Sequence, residues 1–86
     1  MIEVTKRSDD EFEVTVEEGG SSTSHTVTVD DSYYQKLTGG EISKEDLVRR
    51  SFEFLLEREP KESILSRFNL KVITRYFPSY ETQIKP

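Results

Sequence analysis

The residue types with the most chemical reach are a single histidine, His25, and seventeen carboxylates, with no cysteine among them. A zinc site draws on thiolate and imidazole ligands, and one imidazole among carboxylates makes a poor set. A catalytic dyad would need His25 beside a nucleophile in a pocket that a chain of 86 residues hardly forms. His25 stands in phase with Val27 and Val29, which marks it as a structural or surface residue. Glu11, Glu13 and Glu17 share one strand face, and Glu53 and Glu57 one helix face. Both sets suit a solvated surface, where no burial would tune a carboxyl into a general acid or base. Asp9-Asp10-Glu11 lacks the spaced oxygen ligands and the glycine of a calcium loop. Gly39-Gly40 ahead of Ser43 has the outline of an anion-binding helix entrance. The phosphate-loop lysine is missing, however, and Glu41, Glu45 and Asp46 would repel the ligand. With no nucleophile–base pair, metal set or cofactor site, we expect a protein that is not an enzyme.

Contact is the chemistry that remains. Arg67, Lys71 and Arg75 recur every four residues among Phe68, Tyr76 and Phe77. One helix through them would carry a basic stripe beside an apolar one, suited to a nucleic-acid backbone or an acidic partner. Three cations make a small footprint for nucleic acid, so a solvated outer face is the favoured reading. The stronger signal lies in Ser43 to Glu59. Leu47, Val48, Ser51, Phe52, Phe54, Leu55 and Leu56 fall on one arc roughly 200° wide, about twice what a helix covering a single sheet needs. Something must cover the second side. The candidates are the C-terminal segment, through Ile64, Leu65, Phe68, Ile73 and Phe77, or a second subunit that meets Phe52, Phe54 and Leu56.

The elements that would position these residues form one domain, 1–86. Ile2–Thr5, Glu11–Glu17 and His25–Val29 alternate apolar and polar residues, separated by turn-forming Arg7–Asp10 and Glu18–Thr23. They imply a three-stranded antiparallel meander over 1–29. Helices are expected over 31–38, capped by Asp31 or Ser32 and ended by Gly39, and over 43–59, capped by Ser43. Two more are expected over 60–68, opened by Pro60, and over 70–77, with one further turn possible from Ser79 to Ile84. The fold class is therefore α+β, with three to four helices on one face of the meander.

Composition sets the limits. A chain this small buries only about 60% of its unfolded surface, so help from a partner is plausible. No apolar run approaches the ~20 residues that span a bilayer, and Met1–Lys6 does not read as a signal peptide. The absence of cysteine fits a reducing compartment. A cytoplasmic protein without membrane contact is the expectation. Residues 1–43 carry three basic residues against ten acids, giving −7, and residues 44–86 carry nine against seven, giving +2. The acidic front half should repel phosphate.

Residues 25–59 resemble a ribbon-helix-helix segment. The strand HTVTV, the short helix DSYYQKLTGG and the longer helix SKEDLVRRSFEFLLER follow that family's order, and Gly40-x-x-Ser43-x-x-x-Leu47-Val48-Arg49 is similar to the opening of its second helix. The resemblance implies a dimer whose strands pair across a two-fold axis and enter the major groove. Ser24, Thr26 and Thr28 would then be the readers, with Ser43 near phosphate. Base readout favours Arg, Lys, Asn or Gln over these small hydroxyls. In addition, Phe12–Val16 stands ready to pair with the strand inside the same chain. We therefore read the chain as a non-enzymatic protein–protein interaction module that binds a protein partner or itself, as a homodimer. A ribbon-helix-helix-like DNA-binding regulator or antitoxin-like repressor is the alternative.

Overall fold

The structure, a computed structural model, describes residues 1–85. It is α+β, with strands β1 (Ile2–Lys6), β2 (Glu11–Glu18) and β3 (Ser21–Thr28) followed by helices α1 (Asp31–Thr38) and α2 (Lys44–Leu56). The three strands pair antiparallel in sequence order, with Val4 opposite Val14 and Phe12 opposite Val27. The β2–β3 turn is two residues long, and Gly19 and Gly20 hold φ of 62° and 80°. Two successive positive φ values define the hairpin turn whose twist matches the flanking strands, and glycine adopts them without strain. Alternation then sends Phe12, Val14, Val16, Val27 and Val29 to one fully buried face.

The described residues hold a fourth strand, β4 (Arg67–Asn69), which lies parallel to β3 with Val27 opposite Phe68. This corrects two expectations together. The sheet is mixed and four-stranded, and the helix expected over 60–68 is instead one 3₁₀ turn, Lys61–Ser63, followed by irregular chain with bends at Ile64 and Ser66 and then by β4. The open edge of β3 needed partners for its backbone groups. The Thr26 amide donates to the Ser66 carbonyl at 2.8 Å, and the β4 ladder follows from there.

Ser43 caps α2 as expected, accepting from the Asp46 amide at 3.0 Å. The helix ends at Leu56 rather than Glu59, because the residue before Pro60 is pushed out of helical geometry and the last turn tightens onto the Leu55 carbonyl. Neither Asp31 nor Ser32 caps α1. Asp30 holds the N-cap position, and its carboxylate instead meets Asn69 Nδ2 at 3.2 Å and Lys71 Nζ at 3.5 Å. The segment expected as helix 70–77 is a 3₁₀ turn, Leu70–Val72, running into α3 (Ile73–Tyr76), and α4 (Tyr80–Ile84) adds the last turn.

The wide arc of α2 is covered inside the chain. Phe52 lies against the sheet side, 5.3 Å from the His25 ring and 6.1 Å from Phe68. Phe54 turns to the tail and makes edge contacts with Tyr80 at 5.3 Å and Phe77 at 5.9 Å. Ser51 Oγ donates to the Leu47 carbonyl at 2.7 Å, so the Tyr80 hydroxyl, 2.6 Å away, must be the donor to it. Phe52 and Phe54 are buried and Leu56 is half-buried. Phe52 and Phe54 are therefore not open to a second molecule, being covered by the sheet side and by the tail, while Leu56 keeps part of its surface exposed. Among the described residues no helix is long and apolar enough to cross a membrane.

Candidate protein-interaction groove

Of the tail residues expected to cover α2, Ile64, Phe68 and Ile73 are buried and Phe77 is half-buried, but Leu65 is not. Ile64 and Phe68 go in, while Leu65, Ser66 and Arg67 between them stay out, with Leu65 46% exposed. Tyr76, at the end of α3, is 65% exposed. These two side chains flank one groove of about 160 Å³, whose apolar lining includes Leu55, Ile64, Ile73 and Phe77. An apolar cavity of about 150 Å³ holds one benzene ring. Small-molecule sites usually run to about 300–1,000 Å³. The groove thus has room for a single aromatic or branched aliphatic side chain.

Glu59 lies at the same groove, and burial pushes its carboxyl above the usual carboxylate range. No ion pair engages it among the described residues. A cation delivered there would find a carboxylate already partly stripped of water.

The other singled-out residues are held in place by structure. His25 is buried, and its Nδ1 lies 2.8 Å from the Leu65 carbonyl. A carbonyl only accepts, so Nδ1 carries the proton, and Thr23 Oγ1 at 2.8 Å from Nε2 completes the ring's bonds. The imidazole anchors the backbone of the residue whose side chain flanks the groove. Arg67, Lys71 and Arg75 do not share a helix. Arg67 is on β4 and meets Glu11 at 3.4 Å, Lys71 is on the 3₁₀ turn and meets Asp30 at 3.5 Å, and Arg75 is on α3. The candidate stripe therefore does not form, because β4 and a 3₁₀ turn stand where one helix would have aligned it.

Ser24, Thr26 and Thr28 lie on the outer sheet face beside Glu11, Glu13 and Thr15, and Thr26 donates to Glu13 at 3.3 Å. Ser43 serves as the cap of α2. A second polar cluster ties the tail down. Tyr33 donates to Glu81 at 2.8 Å, with Lys36 at 3.6 Å on the other carboxylate oxygen. Burial raises the Tyr33 phenol to about 12, while the Tyr33 hydrogen bond and Lys36 hold the Glu81 carboxyl below its usual range. Among the described residues no cluster of three His, Cys, Asp or Glu side chains could hold a metal ion.

In the sequence Leu65 reads as cover for α2 and Tyr76 as an apolar neighbour of the basic residues; the structure leaves both exposed. No family model matches the chain, and no curated protein or solved structure shows significant similarity to it.

Proposed function

We propose that the chain is a protein-interaction module that binds by taking one apolar anchor side chain of a protein partner into the groove between Leu65 and Tyr76, and that it performs no catalysis. The observation that carries this is the exposure of both side chains at one apolar groove with room for one ring. Interface hot spots have this form, a buried anchor in a pocket ringed by residues that exclude water. Glu59 favours a partner with a lysine or arginine beside its anchor.

The ribbon-helix-helix alternative has less support. β3 has β2 on one edge and β4 on the other, so the pairing of twin strands would have to displace one of them. Its outward hydroxyls also stand among carboxylates that repel phosphate.

A peptide-display selection against the full chain tests the proposal. It should enrich sequences with a single aromatic or leucine anchor next to a basic residue. Leu65→Ala or Tyr76→Ala should weaken the selected peptides by about 10- to 30-fold, the loss of one hot-spot contact of roughly 2 kcal/mol. Enriched peptides that bind both variants as tightly as the parent would refute it, as would a selection without an anchored consensus.

A further inference from the structure

The sheet has two edges, and they differ. β4 is three residues long, whereas β1 runs five residues without proline and pairs with β2 without a bulge. Met1 and Glu17 exchange both hydrogen bonds, at 2.7 and 2.8 Å, and the Arg7 amide donates to the Glu11 carbonyl at 2.8 Å at the other end. In an antiparallel ladder such exchanging pairs alternate with non-bonded ones. Glu3 and Thr5 therefore turn their backbone groups to β2, and Ile2, Val4 and Lys6 turn theirs to the open edge. The Ile2 carbonyl is already taken, by Arg49 Nη1 at 2.6 Å. Val4 and Lys6 are left as a template for another strand.

We propose that this edge pairs antiparallel with β1 of a second copy, about a two-fold axis at Thr5, joining two four-stranded sheets into one of eight. An incoming copy must keep Ile2 and Val4 on the helix side in both sheets, which restricts the axis to a residue rather than the gap between two. An axis at Glu3 sets Glu3 against Glu3, and one at Lys6 sets Lys6 against Lys6. An axis at Val4 needs the carbonyl that Arg49 holds. With the axis at Thr5, Val4 and Lys6 exchange backbone hydrogen bonds twice over, and Arg49 keeps its acceptor.

Charge selects the same register. Glu3 of each copy then stands opposite Arg7 of the other, on the outer face. Arg7 uses only Nη2, at 3.2 Å, to reach Glu13, so its guanidinium has donors to spare. The edge is acidic at Glu3 and basic at Lys6 and Arg7, an arrangement that is self-complementary under a two-fold axis. That is why a second copy is its occupant rather than a foreign strand. The interface is separate from the groove at Leu65 and Tyr76.

Thr5→Cys tests the register, since the chain has no other thiol. At the axis the two Thr5 residues form a non-bonded pair with Cα atoms about 4.5 Å apart, within disulfide range. Under mild oxidation Thr5→Cys should give covalent dimer at least about tenfold faster than Ser22→Cys, an exposed control site on β3. Adding Glu3→Arg, which sets arginine against Arg7, should remove that advantage. Adding Val4→Pro should do the same, because it deletes an amide that faces outward and leaves the β1–β2 ladder intact. Circular dichroism checks that both variants fold, and Glu3→Arg decides the question if Val4→Pro does not. Equal rates at residues 5 and 22, or a Thr5→Cys rate untouched by Glu3→Arg, would overturn the proposal.

Discussion

Replacing Tyr80 tests whether the tail, rather than a second molecule, covers the far side of α2. Its ring is fully buried against Phe54, and its hydroxyl donates to Ser51. Tyr80→Phe keeps the ring and removes one hydrogen bond. Ser51 still donates to Leu47, so no buried donor is orphaned, and the cost should be about 0.5–1.5 kcal/mol. Tyr80→Ala removes the ring as well. Lost transfer energy and the cavity left behind together cost about 3–5 kcal/mol for a large aromatic. A domain of this size is stable by roughly 4–13 kcal/mol, so the alanine variant should lose a large share of its stability. Urea unfolding followed by circular dichroism measures both. In a double-mutant cycle with Phe54→Ala, the coupling should be about 0.5–1.5 kcal/mol, as for an edge-to-face pair. A Tyr80→Ala protein within about 1 kcal/mol of the parent, or one without coupling to Phe54, would show that α4 does not pack on α2 in solution.

Two further outcomes follow from the polar contacts. The Glu81 carboxyl sits below its usual range because Tyr33 donates to it, with Lys36 adding to the effect, so the stability it confers is present above the unfolded carboxylate range and is lost as pH falls through its folded pKa. Glu81→Gln should therefore cost about 1 kcal/mol near pH 7, and the difference from the parent should vanish in acid; urea midpoints across pH check this, and a constant difference would contradict it. Lys44, whose side chain is only 14% exposed, donates to the Asp9 carbonyl at 2.8 Å and Asp10 at 3.1 Å, and it pairs with Asp31. Lys44→Met should cost about 1–2 kcal/mol and leave a smaller salt dependence of stability than the parent shows, both read from urea unfolding in low and high salt.

How much of this was legible in the sequence depended on whether one periodicity was unique to one structure. Phe12, Val14 and Val16 alternate in a way no helix uses, and the strand appears where expected. Gly39, with its φ of 63°, ends α1 at the expected place, and Ser43 caps α2. The breadth of the apolar arc on α2 was also legible, since it counts only residues of a single helix, and it implied a second cover. Ile64 and Phe68 are different. A spacing of four puts two residues on one face of a helix and equally on one face of a strand. The deciding term was nonlocal: β3 had a free edge, and a segment some 40 positions away fills it. Once residues 67–69 pair with β3, the cations at 67, 71 and 75 no longer align. The candidate groove was hidden for the same reason. It is made of what the tail has left after covering α2, and that remainder is fixed only when the β3–β4 pairing sets the course of the tail.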